Sequence, residues 1–346
     1  MLRDRRGLLL TSLGVVIFVA YLAYSNPFKV LLEVGRFDLG VFVMAVLINY
    51  LGLFFFAYSW YLLLKVLGVK ISLWEGVRAM FISLFVVWMI PIPVGTEIIR
   101  AYLVRDAEDS DMGKAIASVV FHKAYYNIAF GFLIGIAALN VMGPRGGPIP
   151  VPPGLVWFVI VFAVGSSIIY GMALNPRLLL GAYNFSPSWV RRNVFDRLYD
   201  RGDGGFPQVI EDISSAMKVL MTDPVNNVLS IFMVAFHWST GTLTAYLVSL
   251  SLGWKIDFWV IVLIYAMIEF IQQMNVFIPG GLGVIDASLT GAFVLLGVPL
   301  SHAAAISLLT RMATYWFEVA LCAAVSFHYG YRESLKEYWS ETSEAD

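Results

Sequence analysis

Long apolar runs separated by short polar intervals dominate the chain. Runs of this length are typical of helices that cross a bilayer, because a hydrocarbon core of about 30 Å needs about 20 apolar residues. The interval 25–38, between the first two runs, is predicted to be a loop outside the membrane. Six runs predict full membrane spans, at residues 8–24, 39–64, 114–141, 154–174, 225–252 and 302–328.

The distribution of cations predicts the orientation of these spans. Arg3, Arg5 and Arg6 precede the first run, and cations in short flanking segments favour the cytoplasmic side. Six spans return the C-terminus to that side, where Arg332 and Lys336 agree with the same rule. We therefore expect a multi-pass protein of the plasma membrane with both termini in the cytoplasm.

Two further apolar runs are broken by Pro and Gly. The sharper break is Ile278-Pro279-Gly280-Gly281-Leu282-Gly283-Val284-Ile285-Asp286, and a weaker copy is Ile92-Pro93-Val94-Gly95-Thr96-Glu97. A broken helix frees backbone groups, which in lipid cost several kcal/mol each unless protein or a wet cavity satisfies them. We read residues 73–105 and 257–297 as re-entrant hairpins that enter from opposite faces. The alternative is that 74–90 and 257–278 cross completely, which would give eight spans.

The order of these segments predicts an internal repeat within one membrane domain, 1–346. Residues 1–142 and 154–330 each contain two spans, a hairpin and a third span, in that order, and the two halves start from opposite sides of the membrane. The predicted fold is therefore an all-α polytopic membrane protein with an inverted-topology repeat, an arrangement found in many secondary transporters.

The interval 175–223 is rich in cations and is predicted to be cytoplasmic. It contains two amphipathic patterns, at 189–199 and at 209–221. Helices of this kind can lie in the membrane interface. They can equally form a hairpin that packs on the spans.

Composition excludes several classes of function. The chain is 59% hydrophobic and only 14% charged, with a mean hydropathy of +0.77, so it is not a soluble domain. The net charge of −1 does not bear on nucleic acid, but the sequence has no basic patch that would bind it, so no nucleic-acid partner is expected. The single cysteine, Cys322, and four scattered histidines predict no disulfide, no metal site and no cofactor.

Ionisable residues inside the apolar segments are the candidate functional residues, since each costs about 2.5–3.5 kcal/mol to insert. They recur at matched positions: Glu97 precedes His122 by 25 residues, and Asp286 precedes Arg311 by 25. Each acid begins a helix after a break, where free N–H groups favour an anion. The predicted substrate-binding set is Glu97, Arg100, His122, Lys123, Asn127, Glu269, Gln273, Gly280, Gly281, Asp286, Arg311, Tyr315 and Glu318.

Each of these side chains also has a structural interpretation. Glu97 could cap its helix, and Arg100 could be an ordinary cytoplasmic cation. Lys123 must pair, with Glu97 or Asp286 as its expected partner. Arg311 could hold a phosphate with its two-pronged guanidinium, or it could be locked to Asp286 or Glu318. No arrangement typical of a nucleophilic or metal-dependent enzyme is present in the sequence.

The two breaks resemble those of a flippase-like membrane family related to the N-terminal region of bacterial lysylphosphatidylglycerol synthases, the multiple peptide resistance factor family. The matching stretches are residues 93–103 and 279–286, followed by the helix that contains Arg311. The family usually has Pro-Gly at the first break, Glu at the second acid and a Glu-Arg pair in the following helix. This chain has Pro93-Val94-Gly95, Asp286 and His122-Lys123 there.

The resemblance implies translocation of a lipid with a polar head group. The soluble aminoacyl-transferase domain of the bacterial synthases has no counterpart in this sequence, so lysyl transfer is not expected. We expect a non-enzymatic flippase for an anionic lipid-linked head group, a polyprenyl-phosphate sugar or a phospholipid, with H⁺ or Na⁺ as a possible coupling ion. The alternatives are an ion-coupled transporter of a soluble organic anion and a membrane-embedded glycosyl- or lipid-transferase.

Overall fold

The computed structural model describes residues 2–89, 95–104, 107, 112–142, 153–173, 175–188, 205–274 and 278–329. Its regular elements are helices, connected mostly by short turns. A 3₁₀ turn at Pro279–Gly281 precedes α12, and a π-helical segment at Met312–Trp316 interrupts α13. The helices are α1 (Leu2–Tyr24), α2 (Pro27–Val34), α3 (Leu39–Val66), α4 (Leu73–Met89), α5 (Gly95–Val104), α6 (Met112–Met142), α7 (Pro153–Ala173), α8 (Pro176–Phe185), α9 (Gly205–Met221), α10 (Pro224–Ser251), α11 (Phe258–Met274), α12 (Val284–Leu295) and α13 (Leu300–His328).

The predicted all-α membrane architecture is confirmed. Among the described residues, α3, α6, α10 and α13 are each long and apolar enough to cross a bilayer, and the bent pair α1–α2 is a fifth candidate. At 28 residues, α3 is about 42 Å long, which exceeds the thickness of the hydrocarbon core. The count of six spans and the inverted relation of the halves stay predictions.

The antiparallel pair of α3 and α10 forms the centre of the bundle. The Asp38 amide at the start of α3 donates to Ser251 O at the end of α10, 2.8 Å away, and Ser230 Oγ donates to Ser59 O near the opposite ends. Small residues allow this close approach, which is how helices associate where lipid removes the hydrophobic driving force. Gly52 faces Thr240 so closely that a Cβ built on it would lie 1.8 Å from the hydroxyl oxygen.

The interval 25–38 was predicted to be a loop, and that prediction is wrong because it contains α2. Asn26 adopts a left-handed conformation, with φ of 61°, and its side chain accepts a hydrogen bond from the Lys29 amide. Pro27 follows at the first helical position, where its missing N–H is not needed. The chain bends by 82° here, and α2 presents the exposed apolar side chains of Phe28, Leu31 and Leu32.

Helix α9 confirms the second amphipathic pattern and indicates what its apolar face contacts. Ile210, Ile213 and Leu220 are buried, and α9 packs on α6 next to Gly113. Packing on the spans therefore accounts for this pattern better than a position flat in the interface. The first pattern, at 189–199, lies outside the described residues.

Both broken segments are helix pairs, as predicted. Helices α4 and α5 pack on each other, and so do α11 and α12. The Pro91-Ile92-Pro93 part of the first break lies outside the described residues, whereas residues 278–283 of the second are described. The same order of neighbours recurs in the two halves: α3 packs on α4 and α5 on α6, as α10 packs on α11 and α12 on α13.

Replacing Gly52 with Ala tests the central helix pair. The new Cβ would meet the Thr240 side chain, so we expect Gly52→Ala to lower the free energy of unfolding by about 1–3 kcal/mol, the usual cost of overpacking. Thermal unfolding of the purified protein in detergent measures this loss. Gly135→Ala in α6, where a Cβ meets nothing within 4 Å, is the matched control. Equal unfolding midpoints for the two variants would contradict the close contact.

Candidate functional site

The second break has a backbone that only glycine adopts without strain. Gly280, Gly281 and Gly283 have φ values of 56°, 64° and 79°, in the left-handed region. At Gly280 a Cβ would lie 1.8 Å from the hydroxyl oxygen of Tyr315, so the Tyr315 ring occupies the space that a side chain would need. Gly280 and Tyr315, both members of the predicted substrate-binding set, thus contact each other.

Asp286 and Arg311 hold this break together. Asp286 Oδ2 accepts a hydrogen bond of 2.9 Å from the Gly283 amide, which caps the restarted helix α12. Its Oδ1 lies 3.5 Å from Arg311 Nε, and Arg311 Nη2 donates to Gly280 O over 2.6 Å. One acid and one cation therefore satisfy backbone groups on both sides of the break, as the membrane environment requires. We call Gly280, Asp286, Arg311 and Tyr315 the second-break clamp.

The second-break clamp also contacts the first half of the chain. The Arg311 guanidinium lies 4.2 Å from the centre of the Tyr315 ring, a cation–π contact. Trp88, near the end of α4, packs edge-on against the same ring with centroids 6.0 Å apart. Movement of α4 relative to α13 would therefore disturb the ring beneath Arg311.

Arg100 and His122 form a buried network near the first break, with Ser59 and Trp60 of α3. Arg100 is 4% exposed, and its Nη1 lies 3.1 Å from His122 Nδ1. Because Arg only donates, Nδ1 accepts, so the Nε2 hydrogen of a neutral His122 points to Ser59 Oγ, 2.7 Å away. Ser59 Oγ in turn donates to Phe56 O. The Arg100 guanidinium also lies 4.9 Å from the Trp60 ring centre. We call Arg100, His122, Ser59 and Trp60 the first-break network.

Three more predicted residues gather between α6 and α11. Tyr126 donates to Glu269 Oε1 over 3.3 Å, and Lys123 Nζ lies 5.1 Å from the Tyr126 ring centre. Asn127 is buried and donates back to Lys123 O. Of the two partners expected for Lys123, Asp286 is wrong: the structure has no ion pair between these two side chains, and the Asp286 carboxylate contacts Gly283 and Arg311 instead.

Glu318 does not join the second-break clamp through a direct ion pair. It is buried on α13, and its Oε1 accepts a short hydrogen bond from Asn49 Nδ2 of α3. Of the two acids proposed to lock Arg311, the structure selects Asp286. The side chains of Glu97 and Gln273 lie outside the described residues, although α5 and α11 contain their backbones.

Several residues of these networks were missed by the sequence analysis. Asn49 is a lone amide in an otherwise apolar span, which is a usable signal for a buried hydrogen bond. Ser59, Trp60, Trp88 and Tyr126 carry no such signal, because serine and aromatic residues are common in spans whatever they contact.

Replacing Gly280 with Ala tests the second-break clamp. The added methyl group would require a positive φ and would collide with Tyr315, so we expect Gly280→Ala to cost at least about 1–3 kcal/mol of stability. The thermal midpoint in detergent reports the loss. Gly241→Ala in α10, where a Cβ meets nothing within 4 Å, is the control. A Gly280→Ala midpoint equal to that of the control would mean that the ring does not fill this space.

Comparison with known proteins places the chain in a family of membrane regions. Residues 11–322 match the family described as the lysylphosphatidylglycerol synthase TM region. A UPF0104 membrane protein of Methanothermobacter thermautotrophicus is 22% identical over 343 residues, which are 96% of this chain and 98% of the relative.

Two other archaeal relatives align over most of their length. A UPF0104 membrane protein of Pyrococcus horikoshii is 19% identical over 90% of this chain and 94% of its own. One from Methanocaldococcus jannaschii is 23% identical over 89% of each. These relatives consist largely of the same membrane region, and their names describe no activity. With the match covering most of its length, the chain belongs to the family of the lysylphosphatidylglycerol synthase TM region.

Proposed function

We propose that the protein is a flippase that moves an anionic lipid-linked head group across the membrane by alternating access. The observation that carries this proposal is the pair of buried arginines, Arg100 and Arg311, each beside a broken helix in the bundle. Buried cations in a membrane region mark pathways for polar or charged substrates. Two buried arginines, one near each break, suit a substrate whose phosphate has to pass from water into the membrane region.

A phosphate could replace the present hydrogen-bond partners of both arginines. Arg311 donates to a neutral carbonyl, Gly280 O, and Arg100 contacts a neutral imidazole, His122. A phosphate is a stronger acceptor than either group, because it carries a negative charge and can accept two parallel N–H bonds from one guanidinium. An arriving head group could therefore replace these contacts without leaving either arginine unsatisfied.

The arrangement of the halves supports movement of one against the other. The two broken pairs have the same order of neighbours around the antiparallel α3 and α10, which suits the inverted repeat that we predict. The contact between Trp88 and Tyr315 joins the halves next to Arg311. Rocking of the halves would open this contact and expose the arginine to the other face.

The family and the apolar surface favour a lipid over a soluble anion. The family description refers to a synthase of lysylphosphatidylglycerol, a phospholipid whose head group contains a phosphate, and this chain matches its membrane region. A lipid tail can stay in the bilayer while only the head group passes between helices. The substrate class is thus a phospholipid or a polyprenyl-phosphate sugar, in the plasma membrane.

Arg311→Ala in proteoliposomes tests this function. We expect the wild type to move labelled anionic lipids across the bilayer faster than protein-free liposomes do. Loss of a charged hydrogen bond costs about 1.5–3 kcal/mol, so Arg311→Ala should slow flipping at least about tenfold. Arg36→Ala, which removes an exposed arginine that pairs with Glu33, should leave the rate unchanged.

The assay also separates the alternatives. Thermal midpoints of both variants show whether Arg311→Ala is folded, and Arg311→Lys keeps the charge without the two-pronged geometry. No acceleration by the wild type for any phospholipid or polyprenyl-phosphate sugar would overturn the flippase and favour a soluble organic anion, testable by uptake. Covalent transfer of the label to another lipid, detected by thin-layer chromatography, would indicate a transferase.

A further inference from the structure

We propose that Glu318 is a proton-binding site that couples flipping to a proton gradient. The proposal concerns a buried carboxyl outside the second-break clamp, on the same helix as Arg311. Its protonation stands on geometry alone, whereas its role in coupling rests on the proposed flippase function.

The surroundings of Glu318 offer one hydrogen bond and no counter-charge at contact distance. The residue is 6% exposed, and Oε1 accepts from Asn49 Nδ2. The same amide nitrogen donates to Ala313 O over 3.2 Å, so both of its hydrogens are used. Within the described part of the chain, Oε2 has no hydrogen-bond partner, and no Lys, Arg or His nitrogen lies within 4.0 Å of the carboxyl.

An ionised carboxylate is unfavourable in such a place. A buried charge must be paired and hydrogen-bonded, and a single amide donor does not replace the water that a carboxylate loses. A neutral carboxylic acid removes the unpaired charge, and Oε1 can still accept from Asn49 while Oε2 carries the proton. The structure thus corresponds to the protonated state of Glu318.

Arg311 supplies the only full positive charge among the described groups that face this carboxyl. It lies seven residues earlier on α13, beyond ion-pair distance, and is engaged by Asp286. Helix α4 also packs on this part of α13, but its charged residues, Glu75 and Arg78, lie toward the opposite end, where Arg78 contacts Tyr329. The titratable or charged groups that interact with the Glu318 carboxyl are Tyr50 of α3, Tyr265 of α11, and Arg311 and Cys322 of α13.

The π-helical segment Met312–Trp316 lies between Arg311 and Glu318. We infer that it allows each of these side chains to change its partners. Such segments often occur at functional sites because the backbone there is not locked in α-helical hydrogen bonds. Asn49 bridges this segment to Glu318 by donating to both Ala313 O and the carboxyl. A change in the charge of Glu318 would therefore be transmitted to the segment that positions Arg311.

The charge balance predicts which species travel together. With Glu318 neutral, Asp286 and Arg311 sum to zero, and an anionic head group meets no excess negative charge. If the proton leaves, the three groups carry a net −1, which repels the head group and attracts Arg311 away from Asp286. A proton and an anionic lipid should therefore bind together and cross as a neutral pair.

Infrared spectroscopy of the purified protein tests the proton site without any transport. At neutral pH we expect the carbonyl stretch of a protonated carboxylic acid in the wild type and its loss in Glu318→Gln, a variant that keeps the acceptor for Asn49. Glu75→Gln, which removes an exposed acid at the start of α4, should retain the band. The same band in all three proteins would overturn the proposal.

Proteoliposomes with an imposed pH gradient and a clamped membrane potential test coupling. For one proton per lipid, a gradient of two pH units should shift the steady-state distribution of a labelled anionic phospholipid by up to about 100-fold. We expect no gradient-driven shift for Glu318→Gln and a normal one for Glu75→Gln. A shift that persists in Glu318→Gln, or one driven by Na⁺ alone, would overturn coupling through Glu318. Absence of any flipping by the wild type would instead refute the flippase function, and the infrared result would still decide the proton site.

Discussion

The contact of Arg311 with Gly280 O and Asp286 is the interaction on which the second half of the structure depends. A helix that stops and restarts within a membrane region leaves backbone N–H and C=O groups without helical partners, and lipid offers none. Arg311 supplies a donor for the carbonyl before the restart, and Asp286 supplies an acceptor for the amide after it. The two side chains neutralise each other, so the break is satisfied without a net charge.

The first half has its buried cation on the other kind of helix. There the cation, Arg100, lies on the short helix after the break, and its partner, His122, lies on the long helix. In the second half the acid lies on the short helix and the cation on the long one. The donor therefore lies on the short helix in the first half and on the long helix in the second.

Much of this arrangement can be predicted from the sequence, because its signals are strong and local. Uninterrupted apolar length predicts α3, α6, α10 and α13, and Pro and Gly mark the second break. The sequence left a phosphate, Asp286 and Glu318 open as partners of Arg311, and the structure has Asp286 beside it. What failed depended on packing: α2 is only eight residues long, and nothing near Tyr126 indicates that Glu269 of α11 lies beside it. Partners such as Ser59 and Asn49 need the relative rotation of two helices, which periodicity within one helix does not contain.

The fit of α1 against the second break has a consequence for how the molecule could move. A Cβ built on Gly283 would lie only 2.6 Å from the backbone nitrogen of Phe18. A Cβ built on Gly14 would likewise lie too close to the Ile278 side chain. Tyr21 and Thr290 share a hydrogen bond between their hydroxyl groups farther along. Helix α1 thus packs closely against the second break and α12 over two turns. If one half moves against the other as proposed, the beginning of the chain would have to move with the second half, and the moving unit would not be contiguous in sequence.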